Sequence, residues 1–211
     1  MDGVIIDTEP VHKYAYYQHF NQLGIDVSPE MYATLTGTST KNTFEKLKAE
    51  FQLKEDVTTL VETKRNIFND AFDQKEDLYL LDGVEDLIQE LYANGMQLVL
   101  ASSSATVTIH RIFNRFDLFK YFTHIVSGED FPQSKPHPAI FRHAAFLSKT
   151  PVENCVVIED STNGVIAAKA AGIYCIGYDS VNSKMQDYSK ADKVISHFNE
   201  LNFEMMQHIR N

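Results

Sequence analysis

Residues 155–172 read CVVIEDSTNGVIAAKAAG, and this stretch decides the fold class of the chain. Its first four residues form an apolar run that is typical of a strand covered on both faces, and a helical pattern that ends at Gly172 follows. Glu159 and Asp160 come directly after the apolar run. Because two like charges at a strand end repel each other unless a cation lies near, the stretch predicts a strand, an acidic pair beside a cation, and a helix.

The same alternation of apolar runs and helical segments extends over the chain from about residue 80 onward. Further strands are predicted at QLVLAS (97–102), HIVS (124–127) and YCIGYD (174–179), and further helices at VEDLIQELYANG (84–95), TVTIHRIFNRF (106–116) and PAIFRHAAFLS (138–148). Strands that alternate with helices need crossover connections, which give a parallel sheet covered on both faces. Residues 9–77, in contrast, read as helical throughout. The predicted fold class is α/β, with the core in residues 1–8 and 78–211 and an all-helical domain in residues 9–77.

The charge of the chain excludes some classes of partner. The 211 residues carry a formal net charge of −10. This acidic excess argues against nucleic acid or an anionic membrane surface as the main partner. An anionic small molecule remains open as a substrate, because a site can be locally cationic or hold a metal. No apolar run is long enough to span a membrane and no signal peptide is apparent, so we expect a cytoplasmic protein.

Chemically active side chains lie where the predicted strands end. Ser102 closes one strand and Ser103 follows it, Lys135 lies in the loop after another, and Asp160 follows a third. The first seven residues, MDGVIID, place Asp2 at the end of a further strand. In an open parallel sheet the ligand binds at these carboxyl ends. Carboxylate oxygens suit Mg²⁺, whereas an ammonium and hydroxyl groups suit a phosphate, so the pattern predicts a site for magnesium and a phosphate group.

Four stretches, in this order, resemble the motifs of the haloacid dehalogenase (HAD) superfamily: MDGVIIDTEPVH (1–12), LASSS (100–104), SKPHP (134–138) and VIEDSTNGVIAAKAAG (157–172). More narrowly, they resemble the subgroup of sugar-phosphate phosphatases and β-phosphoglucomutase. The resemblance covers nearly the whole chain. It implies a Rossmann-like core with a parallel sheet and a helical cap domain, inserted after the first motif, that corresponds to residues 9–77.

The resemblance also concerns the catalytic aspartates. The first family motif is Asp-x-Asp-Gly, in which the first aspartate is the nucleophile and the second is a general acid/base. Met1 would be x and Asp2 the second aspartate, whose backbone carbonyl also ligates Mg²⁺. The nucleophile would come directly before Met1. We therefore expect roughly eight to ten further residues upstream, enough for a strand of ordinary length. We also expect little or no hydrolysis of phosphoesters by the 211-residue chain alone.

The remaining strand-end groups receive roles from the same resemblance. Asp160 would be the main ligand of Mg²⁺ that the chain itself supplies, with Glu159 beside it in the direct or the outer shell. Ser102, Ser103 and Lys135 would hold the transferring phosphate.

The resemblance implies that the cap contributes His12, Thr38, Lys41 and Lys64 to the substrate site. The alternative for His12 is a histidine that packs at the hinge, for Lys64 a solvated lysine, and for Thr38 a hydroxyl that only closes loop hydrogen bonds. Mutase relatives carry an arginine where Thr40 stands. Because threonine cannot supply a bidentate cationic group, this departure favours hydrolysis over the mutase reaction, although Lys41 could compensate in part.

Three functions are carried forward from the sequence. The first is a Mg²⁺-dependent phosphatase that acts on a small phosphorylated metabolite, such as a sugar phosphate, through an aspartyl-phosphate. The second is a phosphohexomutase of the β-phosphoglucomutase type. The third, from another class, is a catalytically inactive phosphate-binding relative. We expect a monomer in each case.

Overall fold

The structure, a computed structural model, describes residues 1–35, 38–180 and 185–209. The helices in these ranges are α1 Glu9–Leu23, α2 Pro29–Leu35, α3 Thr40–Phe51, α4 Val57–Gln74, α5 Val84–Ala93, α6 Thr106–Arg115, α7 Ala139–Ser148, α8 Thr162–Ala170 and α9 Phe203–His208. The strands are β1 Leu98–Ser102, β2 Phe122–Ser127, β3 Val156–Glu159, β4 Tyr174–Tyr178 and β5 Lys193–Ile195. None of the helices in these ranges has both the length and the apolar composition that crossing a membrane requires.

The strands predicted at 97–102, 124–127 and 174–179 and the one after residue 155 are present, and every strand pair in the described ranges is parallel. β1 pairs with β2 in a register that places Ser102 opposite Ser127. β3 pairs with β4, and β4 pairs with β5. The sequence pattern does not predict β5, because three residues are too short to form a recognisable apolar run. The parallel pairing and the crossover helices confirm the α/β fold class.

Apolar side chains cover both faces of the sheets. Cys175 and Ile176 are neighbours in β4, so their side chains point to opposite faces, and they belong to two different apolar clusters. The cluster around Ile176 contains the buried residues of α5, α6 and α9. The cluster around Cys175 contains those of α7 and α8. This two-sided burial explains why β4 reads as a nearly continuous apolar run.

A cavity separates the strands of the core into two sheets. Within the described ranges, β1 and β2 form one sheet and β3, β4 and β5 form another. Between β1 and β3 lies a cavity of about 270 Å³, whose walls include 98–101, 156–159 and side chains of α5 and α7. Met1 also lines it. The edge strands β1 and β3 therefore lie on either side of a cavity and are not hydrogen-bonded to each other.

The N-terminal helices have an apolar cluster of their own. It is built largely from aromatic side chains of α1, α2 and α3, including Tyr16, Phe20, Tyr32 and Phe44. Helix ends are defined locally: α1 ends at Gly24, whose φ of 65° suits a residue without a side chain, and the Asp56 carboxylate accepts a hydrogen bond of 2.9 Å from the backbone N–H of Thr59 at the start of α4. The helical character predicted for residues 9–77 is therefore present in the structure.

Candidate active site

A second cavity, of about 150 Å³, lies where the carboxyl ends of β1 and β3 meet the N-terminal turn and the first helices. Its walls include the strand-end residues singled out in the sequence, namely Asp2, Ser102, Ser103, Lys135, Glu159 and Asp160. Residues separated by more than 150 positions in the chain therefore share one cavity. The side of the cavity opposite the strand ends is formed by residues of α1 and α2 together with Thr38 and Thr40.

The N-terminal turn places Asp2 at the floor of this cavity. The backbone N–H of Ile5 donates to the Met1 carbonyl over 2.7 Å, and the N–H of Gly3 donates to the Ile6 carbonyl over 2.8 Å. Gly3 has a φ of 72°, and a Cβ atom there would lie 1.9 Å from Oδ2 of Asp160. A glycine is thus required both by the backbone conformation and by the approach of the Asp160 carboxylate.

Hydrogen bonds to three side chains surround the carboxylate of Asp2. Thr8 Oγ1 donates to Oδ1, Ser104 Oγ donates to Oδ2 over 2.5 Å, and His12 Nε2 lies 3.4 Å from Oδ1. Burial alone would raise the pKa of Asp2, but the hydrogen bonds and the positive charges around it hold that pKa well below its usual range. Asp2 is therefore ionised in this geometry.

Lys64 and His12 form a buried chain of hydrogen bonds that leads to Asp2. Lys64 Nζ lies 2.6 Å from His12 Nδ1, and the imidazole ring stacks on Phe68 with ring centroids 4.2 Å apart. Only 2% of Lys64 is exposed, and its ammonium lies over the ring of Tyr16. Burial lowers the pKa of Lys64 to about 7 and also lowers that of His12. The alternative of a solvated Lys64 is wrong.

Lys135 and Glu159 form a buried ion pair at the opposite wall. Lys135 Nζ donates to Glu159 Oε1 and lies 3.4 Å from the carbonyl oxygen of Ala101 in β1. The second carboxylate oxygen of Glu159 accepts a hydrogen bond of 3.0 Å from Ser161. Burial opposes ionisation of Glu159, but the charge of Lys135 lowers its pKa. The ion pair thus places an ammonium group at the ends of β1 and β3.

The serines after β1 complete this wall. Ser102 is buried, and its Oγ accepts a hydrogen bond of 3.1 Å from the backbone N–H of Ser104. Ser103 lies between them and lines the cavity. Hydroxyl and backbone N–H groups in a tight turn are suitable donors for a phosphate oxygen.

The oxygen ligands present suit a divalent cation. Burial, followed by the negative charge of Glu159, raises the pKa of Asp160 to about 7, which is the behaviour of a carboxylate that a cation would stabilise. In the described part of the chain no three carboxylate, imidazole or thiol side chains converge as a metal cluster. Magnesium nevertheless needs few protein ligands, because it keeps several of its waters. The carboxylate of Asp160 and the carbonyl oxygen of Asp2 are compatible with it.

The cap residues are only partly brought together. Thr38 Oγ1 donates to the Leu35 carbonyl over 2.7 Å and lies 2.9 Å from Thr43 Oγ1, as the loop-hydrogen-bond alternative states, but Thr38 also lines the cavity. Lys41 is two-thirds exposed, lies 3.9 Å from Glu45, and lines a neighbouring cavity whose walls include residues of α3, α4 and α6 instead. Lys41 therefore does not extend into the space between Asp2 and Lys135.

Sequence reasoning missed four residues of this site. Thr8 and Ser104 bind Asp2 directly, and Glu9 and Tyr32 form the cap wall, where the Tyr32 hydroxyl donates to Glu9 Oε1 over 3.0 Å. Ser104 could have been found, since it belongs to the run of serines after β1. Glu9 gave no signal, because an acidic residue in the first turn of a helix is explained by the helix dipole alone.

The chain is similar to known proteins in both sequence and fold. Residues 1–178 match the family model for haloacid dehalogenase-like hydrolases. Protein CbbY from Cereibacter sphaeroides is 28% identical over 95% of this chain and 91% of that protein. Hexitol phosphatase B from Escherichia coli (strain K12) is 31% identical over 81% of this chain and 77% of that protein. The crystal structure of β-phosphoglucomutase from Clostridium difficile superposes with a TM-score of 0.85 at 26% identity, covering 100% of this chain and 94% of that one.

Proposed function

We propose that this chain, which belongs to the haloacid dehalogenase-like hydrolase family, is the main part of a Mg²⁺-dependent phosphatase for small phosphorylated metabolites such as sugar phosphates. The observation that carries the proposal is the shared cavity of Asp2, Ser102, Lys135 and Asp160. An ionised carboxylate, an ammonium, a hydroxyl and an acidic pair lie on its walls. This set matches the needs of phosphoryl transfer, where positioning and charge stabilisation supply most of the catalysis.

In the proposed mechanism, Lys135 and the hydroxyl groups of Ser102 and Ser103 bind the phosphate. Asp2 gives a proton to the leaving oxygen and later removes one from the attacking water. Because the pKa of Asp2 is held low, the proton for the first step has to be supplied when the phosphate dianion arrives. His12 Nε2 lies 3.4 Å from Asp2 Oδ1 and is positioned to donate this proton, and Lys64 is hydrogen-bonded to the other ring nitrogen of His12.

Magnesium is proposed to bind at the Asp160 carboxylate and the Asp2 carbonyl oxygen. When bound, it would neutralise charge on the phosphate as the nucleophile approaches. Both carboxylate oxygens of Glu159 are occupied by Lys135 and Ser161, which favours the outer-shell position for Glu159.

The nucleophile is proposed to be an aspartate joined directly to the backbone nitrogen of Met1. The cavity between β1 and β3 reaches Met1 and has strand edges on both sides. A parallel strand in that space would end at Met1 and deliver the aspartate to the site. Its attack would displace the alcohol and leave an aspartyl-phosphate for water to hydrolyse.

A chain extended at its N-terminus tests this mechanism. The extension is an apolar strand that ends in aspartate before Met1, and the matched control ends in asparagine. We expect hydrolysis of p-nitrophenyl phosphate with Mg²⁺ only from the aspartate form, with the asparagine form and the 211-residue chain at least a thousandfold slower, since nucleophilic catalysis is lost. Equal rates in all three forms would refute the proposed nucleophile, and an inactive aspartate form would favour the phosphate-binding alternative.

Hydrolysis is favoured over the mutase alternative by the charges on the cap wall. Thr40 lines the cavity, and Lys41 extends into a neighbouring one. A mutase has to bind a second phosphate, which requires a cation at that wall. We also propose that residues 9–77 act as the cap, which excludes water when it covers the site.

A further inference from the structure

The start of helix α6, which follows the serines after β1, is held by a residue from another segment. Ala105 precedes the helix and has no side-chain oxygen that could accept a hydrogen bond from its first N–H groups. The backbone N–H of Thr106 instead donates to Glu129 Oε2 over 2.9 Å. The first N–H groups of a helix have no partner within the helix, and a carboxylate is a favourable acceptor there. Glu129, which follows β2, therefore caps α6.

The other carboxylate oxygen of Glu129 binds the helical region. Arg65 in α4 donates from Nη2 to Glu129 Oε1. Both side chains are partly exposed, so this ion pair contributes only modestly to stability by itself. Its position gives it a further consequence, because Thr106 lies only two residues after Ser104. One carboxylate thus joins α4 to the end of the serine turn, by which we mean Ser102–Ser104.

The backbone around Glu129 is bonded to the same turn. The N–H of Glu129 donates to Ser127 Oγ over 3.2 Å, and the Ser127 hydroxyl, which is buried, donates to the carbonyl oxygen of Ser104 over 2.8 Å. Gly128 packs so closely that a Cβ atom there would lie 3.0 Å from Cα of Ser103. Glu129 is thus fixed to the serine turn on one side and to α4 on the other.

The side chain of Glu129 lies outside the cavity that contains Asp2, and it lines the neighbouring cavity together with Arg65. We propose that Glu129 is a positioning residue, which holds the serine turn in the geometry that binds phosphate and relates that geometry to the position of α4. The inference rests on the proposed function, because it assumes that the phosphate lies at Ser102 and Ser103. Coupling of this kind is reciprocal, so a bound phosphate would in turn stabilise the contact with Arg65.

Substitutions of Glu129 and Arg65 separate this role from the general effect of charge. Glu129→Gln removes a negative charge near the phosphate site, so electrostatics alone would predict tighter binding of phosphate. A positioning role predicts the opposite, because the glutamine loses the ion pair with Arg65. Arg65→Met leaves the hydrogen bond from Thr106 in place and removes only the contact with α4. The matched control is Asp73→Asn, which breaks the ion pair of Asp73 with Arg111, another partly exposed link between α4 and α6.

Two measurements on the 211-residue chain test the inference. In calorimetric titration with inorganic phosphate and Mg²⁺, we expect Glu129→Gln and Arg65→Met each to weaken phosphate binding about threefold, within the range of a partly exposed ion pair. In hydrogen exchange without phosphate, both variants should exchange the amides of residues 102–106 about threefold faster. Because both substitutions break one contact, the double variant should show little more than either single one. Asp73→Asn should change neither result.

Three outcomes would overturn the inference: tighter phosphate binding by Glu129→Gln, unchanged affinity and exchange in the folded variants, or an equal effect of Asp73→Asn. Either substitution suffices if the other prevents folding, because Glu129 and Arg65 lie on different elements. Failure of the parent chain to bind phosphate would instead refute the proposed function itself. The exchange of residues 102–106 would then still decide whether α4 restrains the serine turn.

Discussion

The helical region of residues 9–77 and the sheet region are packed in different ways. The helical region contains a continuous apolar cluster in which Phe20, Phe44 and Leu47 are almost completely buried. The sheet region contains a cavity of about 270 Å³ between β1 and β3. Helices satisfy their backbone hydrogen bonds internally, whereas a strand depends on its neighbours. The comparison teaches that the helical region satisfies its backbone hydrogen bonds within its own helices, whereas β1 and β3 each have one edge that no other strand pairs with in the described part of the chain.

The cavity has an energetic consequence. Its walls include apolar side chains of α5, α7, β1 and β3, and burying more of this apolar surface would be favourable. Filling the cavity is therefore expected to change the sheet region more than any single substitution changes the helical region.

The largest expected effect comes from filling the space between β1 and β3. Extending the chain at Met1 by an apolar strand should raise the free energy of unfolding by about 5 kcal/mol, because buried apolar surface and two rows of hydrogen bonds are gained. Urea denaturation of the extended and the 211-residue chains measures the difference. An extension of the same length rich in serine and glycine is the control. Equal stability of all three chains would show that the cavity does not accept a strand.

The next largest effect is expected inside the helical region. Phe44→Ala should lower the free energy of unfolding by about 3–5 kcal/mol, since Phe44 is completely buried among aromatic rings. Phe44→Leu, which keeps most of the volume, should cost much less. Denaturant titration followed by far-UV circular dichroism measures both variants. A loss below about 1 kcal/mol for the alanine variant would contradict the compact packing of the cap.

Two glycines with similar backbone angles sharpen the comparison further. Gly3→Ala should cost about 2–4 kcal/mol, because the new Cβ would clash with Asp160 in addition to straining the backbone. Gly24→Ala should cost only about 1 kcal/mol, since Gly24 has the same sign of φ but no atom near its Cβ position. Thermal unfolding compares the two variants. Equal costs would mean that the N-terminal turn does not constrain Asp160.

The smallest expected effect is a pH dependence at the boundary between the two regions. Lys64 has a pKa of about 7 when folded and 10.5 as its reference value, so the unfolded chain binds more protons between these pH values. Stability therefore rises with pH from about 7 to 9, by up to about 2.5 kcal/mol from this group. Lys64→Met should flatten that part of the profile, measured by urea denaturation at each pH. The exposed Lys46→Met is the control, and an unchanged slope in Lys64→Met would contradict the burial of Lys64.

The residues that sequence reasoning located best are those with a local signal. β1 and β3 each end where an apolar run gives way to polar residues, and Ser161 caps α8 through its side chain, as its position before the helix suggests. The burial of Lys64 could not be predicted, because it depends on Tyr16 from α1 as well as on Phe68 in its own helix. Lys41 was expected in the substrate site, yet it lines the neighbouring cavity.

The sequence by itself determined the alternation of strands and helices, and it determined that Ser102 and Asp160 lie at strand ends. Apolar periodicity and residue type are properties of a few neighbouring residues, so these features are readable without coordinates. Only the tertiary structure decided that Lys64 and His12 form a chain of hydrogen bonds to Asp2, that Glu9 lines the same cavity as Asp2, and that β1 and β3 belong to separate sheets in the described part of the chain. These features arise from contacts between distant segments, whose distances and burial no local pattern records.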